Sequence, residues 1–345
     1  MAKSGTVTIK DVAREAEVSV ATVSRALNGH ENVAEAVRKH VLETAQRLRY
    51  QPHAAARMLS SRRTHTIGVV LPDLYGEFFS ELIRGIDGVA RARRQHLLLS
   101  SYHGNQEQQG EALRAMRGRV DGLLLLSPYS EGGDFLADNL PGSLPVVLVN
   151  SSLSGLPYPV LNIDNYGGAN AMLQHLVGAG HRRIAFIGGP ADNFDAHERL
   201  RGYREALARL CPDVAPWEEA GDFDEASGYE AGRRLLAAAE RPDAVFAAND
   251  MMALGCLYAF NEAGISVPND IALAGFDDIP LARFVHPKLT TMRVSIAELG
   301  GLAMEKLLES VATDERSTVS VRTLTPELVV RESSDPRLAG RNSPR

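Results

Sequence analysis

Residues 8–29 read TIKDVAREAEVSVATVSRALNG. Ile9, Val12, Ala13 and Ala16 recur at the i, i+3, i+4 spacing of one helix face, and Thr8 stands where a hydroxyl caps such a helix. Ser19 takes the same place before a second helix, whose inward residues are Val23, Ala26 and Leu27. Asn28-Gly29 ends that helix, because both residues tolerate the left-handed conformation of a helix terminus. Only Glu17, Val18 and Ser19 separate the two helices, which is the spacing of a helix-turn-helix. A third helix, from about Ala34 to Leu48, turns Val37, Val41, Ala45 and Leu48 inward.

In such a unit the second helix lies in the DNA major groove with its first residues against base edges. Here those are Val20, Ala21 and, one turn on, Arg25. Arg25 can donate two hydrogen bonds to guanine O6 and N7, whereas Val20 and Ala21 offer only apolar contacts such as to a thymine methyl. Ser19, Thr22, Ser24 and Asn28 are short polar residues suited to phosphate oxygens, which set position without reading sequence.

Charge supports a separate module. The whole chain of 345 residues has 37 Lys/Arg against 43 Asp/Glu, a net of −6. Residues 1–63 hold 11 basic and 6 acidic side chains (+5), and the remainder 26 and 37 (−11). A basic end on an acidic body points to a polyanion partner for that end alone. The chain shows no apolar run of about 18 residues and no apolar core of a signal peptide near its start, so neither a membrane span nor secretion is expected. Two cysteines, Cys211 and Cys256, make neither a disulfide framework nor a zinc site and fit a reducing cytoplasm.

The run TIKDVAREAEVSVATVSRALNG, followed by LRYQPHAAARML, resembles the lactose/galactose repressor (LacI/GalR) family, and the likeness extends to about Ser333. It implies a helix-turn-helix headpiece over 6–52, with Thr8 and Tyr50 among its DNA contacts, and a hinge helix over 53–63 that folds on DNA beside its twin in a homodimer. By position Leu59 is the apolar wedge of the minor groove, Ala56 permits close approach, and His53 and Arg57 are groove or phosphate contacts. One departure stands out. Val33-Ala34 and Val37-Arg38 occupy places where the family usually has Val-Ser and Thr-Arg, so two hydroxyls are gone and Asn32 is the candidate replacement cap for the third helix.

From Thr66 the pattern changes to short apolar runs alternating with helix-period stretches. The runs are Ile67–Leu71, Leu97–Leu99, Leu123–Leu126, Val146–Val149, Ile184–Ile187, Ala244–Ala247 and Ile271–Ala274. Strands buried on both faces read this way, and alternation with helices means parallel sheets. The fold class is therefore α/β, with two doubly wound parallel-sheet lobes behind an all-α headpiece, the halves dividing near 162–165. The resemblance implies a periplasmic-binding-protein-like sensor in which the chain crosses three times: a first lobe of 64–163 and 291–323, a second of 164–290 and 324–334, and a disordered tail over 335–345.

Ligands of open parallel sheets bind beyond the carboxyl ends of the strands. The residues after the runs are Asp73, Phe78 and Phe79; Ser127; Asn150; Asn193 and Asp195; Asn249 and Asp250; and Asp277 and Asp278. They converge on one cleft suited to a polyhydroxylated or heteroaromatic ligand. The resemblance places the effector arginine at Arg199 in HERLRGY, with Asn249 and Asp277 in the cleft and Phe223 as a stacking wall. Arg199 and Asp277 then form a donor–acceptor pair for vicinal hydroxyls. Purine-binding relatives have tryptophan, arginine and threonine where this chain has Ser151, Asn193 and Asp195, which favours a sugar.

No phosphate-binding loop ending in Gly-Lys-Ser/Thr, no dinucleotide fingerprint and no Gly-x-Ser-x-Gly elbow appears, so no catalysis and no cofactor or metal is expected. His175 and His181 lack a third ligand; His65, His96 and His103 read as solvated; Trp217 reads as a packing residue near the second lobe's surface. The expected function is a cytoplasmic, nucleoid-associated repressor of carbohydrate genes, homodimeric on an inverted-repeat operator and released by a small sugar inducer. The alternatives are a corepressor-dependent regulator and a sugar-binding transport protein.

Overall fold

The computed structural model describes residues 7–27, 32–50, 63–129, 133–140, 142–152, 157–313 and 320–339. The expected contacts Asn28, His53, Ala56, Arg57 and Leu59, and the hinge helix, lie outside the described residues. The chain divides into two compact units, 1–64 and 65–345.

The first unit holds α1 (Ile9–Glu15), α2 (Val20–Leu27) and α3 (Glu35–Arg47). The Asp11 carboxylate accepts hydrogen bonds from the Thr8 backbone N–H (2.9 Å) and hydroxyl (2.7 Å), closing the start of α1. Those two bonds hold the Asp11 carboxyl below the usual carboxylate range. Ser19 Oγ accepts the Thr22 N–H at 3.0 Å and so caps α2. The N-cap of α3 is Ala34, which has no oxygen to offer, so Asn32 does not fill the role of the missing hydroxyl. Val12, Val23 and Val41, all fully buried, form the centre of this small core with Ala13, Ala26 and Ala45 around them.

The second unit contains two six-stranded sheets. The first is ordered β11-β5-β4-β3-β1-β2 and is wholly parallel, with β1 (Thr66–Leu71), β2 (His96–Ser101), β3 (Gly122–Leu126), β4 (Val146–Val149), β5 (Val160–Ile163) and β11 (Val321–Leu324). The second runs β12-β10-β9-β8-β6-β7, with β6 (Ile184–Ile187), β7 (Trp217–Glu219), β8 (Ala244–Ala247), β9 (Ala272–Asp277), β10 (Thr290–Arg293) and an antiparallel edge strand β12 (Glu327–Val329). Successive residues feed opposite faces: Ile67, Val69, Leu124 and Leu126 enter one core, and Val70, Leu123 and Leu125 the other. That explains why these strands read as unbroken apolar runs.

Among the described residues eight helices cover the sheets: α4 (Glu77–Ala92), α5 (Gln106–Met116), α6 (Gly133–Asn139), α7 (Asn165–Gly178), α8 (Phe194–Leu210), α9 (Glu225–Ala237), α10 (Asp250–Glu262) and α11 (Ile296–Thr313). The chain passes between lobes after β5, after β10 and after β11. Because β10 is bonded into the second sheet and β11 into the first, the later two crossings fall a few residues beyond the expected boundaries at 290/291 and 323/324. The expected disordered tail is partly ordered: Pro336–Ala339 form a short helix, α12, and Ser333 and Ser334 before it are buried. The Ser333 hydroxyl donates to Leu273 O at 2.6 Å and accepts from Thr290 N at 2.8 Å, fixing the C-terminal segment to the second lobe.

Helix pairs meet through glycine. A Cβ on Gly85 of α4 would lie 1.9 Å from the Ala297 carbonyl oxygen, and one on Gly300 of α11 would lie 2.4 Å from that of Leu82. Both obstacles are backbone, so relief requires the helices to separate. Gly85→Ala is therefore expected to destabilise the body by about 1–3 kcal/mol, measured by thermal or urea unfolding; wild-type stability would refute this account of the α4–α11 crossing.

Candidate functional site

Two surfaces stand out. On α2, Val23 and Ala26 are buried while Ser19, Val20, Ala21 and Arg25 are exposed, so the helix presents its N-terminal residues and Arg25 on the face opposite its core. Val20 is 41% exposed, so its apolar side chain is free to make a contact outside the headpiece. Thr22 Oγ1 lies 2.9 Å from Ser19 Oγ, and the Thr8 hydroxyl is bonded to Asp11, so these hydroxyls are already used locally. Tyr50 packs half-buried against the three-helix core.

The second surface is a cleft of about 320 Å³ between the two lobes. It gathers the carboxyl ends of the parallel strands of both sheets. Phe78, Phe79, Asn150, Asn193, Asp195, Arg199, Phe223, Asn249 and Asp277 all line it. Arg199, on α8, is buried at its base. Its Nε donates to Asn165 Oδ1 (2.8 Å), Nη1 donates to the Ala248 carbonyl (2.6 Å), and Nη2 lies 3.3 Å from Asp277 Oδ1. The guanidinium carbon sits 3.9 Å from the centre of the Phe276 ring. Asp195 accepts from Asn165 (2.7 Å) and, across the lobes, from Asn150 Nδ2 (2.9 Å).

Further bonds join the lobes around the cleft. Phe194 N donates to Pro128 O at 2.7 Å, and Tyr129 bridges to Asn193. At the rim the Tyr75 hydroxyl donates to the Glu225 carboxylate at 3.1 Å. Four of the lining residues hold positive φ without being glycine: His103 (47°), Asn150 (48°), Phe223 (64°) and Asp277 (113°). Such conformations are strained and gather where surroundings fix a side chain for a purpose.

Several acids behave otherwise than the strand-end rule predicts. Asp250 lies beneath the cleft, accepting from Thr291 Oγ1 (2.6 Å) and Ile279 N (2.9 Å). Asp278 turns away into a clasp of Arg331 (2.5 Å), Arg293 (2.8 Å) and Arg283 (3.4 Å). Ser127 is buried and takes a hydrogen bond from Gln109. None of these three lines the cleft. Conversely, His103, Tyr129, Asp222 and Asp224 line it and escaped the sequence reading. Among the described residues no group of three His, Cys, Asp or Glu could hold a metal ion, and no helix is long and apolar enough to cross a membrane.

Residues 8–53 match a family profile described as bacterial regulatory proteins, lacI family, and residues 173–334 one described as a periplasmic binding protein-like domain. Catabolite control protein A of Priestia megaterium is 37% identical over 95% of this chain and 99% of its own length. The chain belongs to the lacI family of bacterial regulatory proteins. The ribose operon repressor of Escherichia coli K12 is 36% identical, with 95% of this chain and 99% of that protein covered. A crystal structure of the lac repressor dimer bound to operator and the anti-inducer ONPF superposes with a TM-score of 0.85 at 28% identity, covering 96% of this chain and 99% of that one. As a member of this family the chain is a DNA-binding transcriptional regulator, and its two-lobed body is that family's ligand-responsive part.

The electrostatics of the cleft follow from one guanidinium facing two buried acids. Burial pushes the Asp277 carboxyl up to about 7, opposed by Arg199 and reinforced by Asp195. Burial also raises Asp195, and raises Asp250 well above the usual carboxylate range with help from neighbouring Asp277. Each therefore binds its proton more tightly folded than unfolded. Their contribution to stability is fully present below the unfolded pKa of about 3.9 and is lost as pH rises through the folded value. Urea unfolding should show the unliganded protein weakening from about pH 4 to about pH 7, and Asp277→Asn should flatten that slope. An unchanged slope would rule out Asp277 as its source.

Proposed function

We propose that this protein is a repressor of carbohydrate-uptake or catabolic genes, bound as a homodimer to an inverted-repeat operator and released by a small sugar. The observation that carries the ligand reading is the Arg199–Asp277 pair, 3.3 Å apart and buried in a cleft walled by Phe78, Phe79 and Phe223. Arg199 is locked by Asn165, Ala248 and the Phe276 ring, so its donors are fixed before any ligand arrives. A sugar hydroxyl donating to Asp277 and its neighbour accepting from Arg199 match that pair, and the aromatic walls suit the C–H faces of a pyranose or furanose. Asn193 and Asn249 are held as helix caps at the cleft, and the Asn249 amide also donates to the Phe223 carbonyl at 2.9 Å, which fixes that wall. We assign binding without turnover.

For DNA, we assign base reading to Val20, Ala21 and Arg25, and phosphate contacts to Ser19, Thr22, Ser24 and Tyr50. Thr8 serves the helix start as well as the backbone. The lac repressor named above is a dimer on its operator. A two-fold dimer of this chain would place two α2 helices on the two half-sites of a palindrome. We assign its work to the cytoplasm, at DNA. Closure of the cleft on its ligand shifts one first lobe against the other and loosens the DNA-bound form. The coupling is reciprocal, and about 100-fold release needs only about 2.7 kcal/mol of differential affinity.

Two substitutions separate the functions. Arg25→Ala should weaken binding to an operator duplex, selected by the protein from random sequence, by about 1–3 kcal/mol while leaving sugar binding intact. Arg199→Ala should abolish the sugar response and leave operator affinity within about twofold. Fluorescence anisotropy with a panel of sugars reads both. Tighter operator binding in the presence of the bound sugar would replace the inducer with a corepressor.

A further inference from the structure

Arg199 is the one Lys or Arg among the described residues that line the cleft, against Asp73, Asp195, Asp222, Asp224 and Asp277. The outer acids act as one field. The Tyr129 phenol, which lines the same cleft, is raised first by burial and then by Asp192, Asp222 and Asp73 together. Asp222 is raised by burial, then by Asp224 and Asp192. The charge of the single guanidinium is already paired with Asp277, and its Nε and Nη1 bond Asn165 and the Ala248 carbonyl, which leaves N–H donors for a hydroxyl but no unpaired positive charge.

Four helices begin at the cleft, and their free N–H groups are the usual alternative seat for an anion. Three of those seats hold a side-chain cap, and the fourth, the start of α4 at Gly76, has none but carries the acid Glu77 in its first turn. Asn193 Oδ1 accepts Ala196 N (3.1 Å), Asp224 Oδ1 accepts Ser227 N (2.7 Å), and Asn249 Oδ1 accepts Met252 N (2.9 Å). What the cleft leaves open is acceptors. Asn150, 1% exposed, keeps a buried Oδ1 with no hydrogen-bond partner, and Asp277 Oδ1 has only the Arg199 guanidinium beside it at 3.3 Å. A ligand that satisfies them must donate, and one that adds negative charge meets five acidic side chains against one guanidinium that is already paired.

We propose that the cleft selects its effector by charge, taking a polyol that is neutral or carries a protonated amine and rejecting the phosphorylated or carboxylated form of the same molecule. This rests on the polyol reading above and narrows it. A regulator built this way senses free sugar, ahead of the phosphorylation step that would consume it.

The test is thermal-shift and calorimetric titration of the full-length protein with glucose, galactose, mannose and ribose, with the phosphates of each, with glucosamine and galactosamine, and with the diamine putrescine. Within any series that binds, the phosphate should bind at least about tenfold more weakly than the neutral sugar, and the amino sugar at least as tightly. Asp73→Asn with Asp222→Asn should shrink the gap between amino and neutral members and between neutral and phosphorylated members. A phosphate that binds as tightly as its neutral parent overturns charge selection and leaves the polyol reading standing. Stabilisation by putrescine with none by any sugar upholds charge selection and overturns the polyol reading. No stabilisation by any of them overturns both.

Discussion

The guanidinium of Arg199 ties together the parts of the second lobe that build the cleft. It reaches the start of α7 through Asn165, the end of β8 through the Ala248 carbonyl and the end of β9 through Asp277. A buried cation needs partners, because isolated it would carry a large desolvation penalty. The partners here come from three separate segments, so the charge can be buried only if those segments meet as they do. Two acids, Asp195 and Asp277, share the neighbourhood of this one positive charge, and that imbalance together with burial keeps Asp277 poised near neutrality. Stability and ligand recognition therefore draw on the same ion pair.

Much of the architecture was legible because burial leaves a plain signature. Strands covered on both faces, such as Thr66–Leu71 and Gly122–Leu126, are apolar throughout and announce themselves. The elements that stayed hidden obey other forces. In β5 the polar Asn162 interrupts the run, yet its amide pairs with the Ser151 backbone at 2.9 and 3.0 Å, a tertiary contact that no local pattern records. Trp217–Glu219 is an edge strand whose two glutamates are held by Arg204 and Arg234 from adjoining helices. The uncapped start of α3 at Ala34, by contrast, was visible as two absent hydroxyls.

The same distinction governs the site. Asn150, Asn249 and Asp277 follow recognisable strands and were found by position, and Arg199 by its surrounding motif. Asp222 and Asp224 follow the unrecognised edge strand β7, and His103 and Tyr129 lie beyond the residues nearest their strand ends. Asp250 and Asp278 were placed in the cleft by the strand-end rule, but one supports its floor through Thr291 and the other anchors three arginines. Position after a strand indicates which end of the sheet a residue occupies; the backbone dihedral of that residue decides which way its side chain turns.

The chain passes between the lobes through three short links: Asp164 alone, Val294-Ser295 and Thr325-Pro326. Links of one or two residues have no slack to stretch. Sliding one lobe past the other would strain all three at once, whereas a twist of a few backbone torsions in each leaves their lengths unchanged. Relative movement of the two lobes is therefore confined to torsions within these three links.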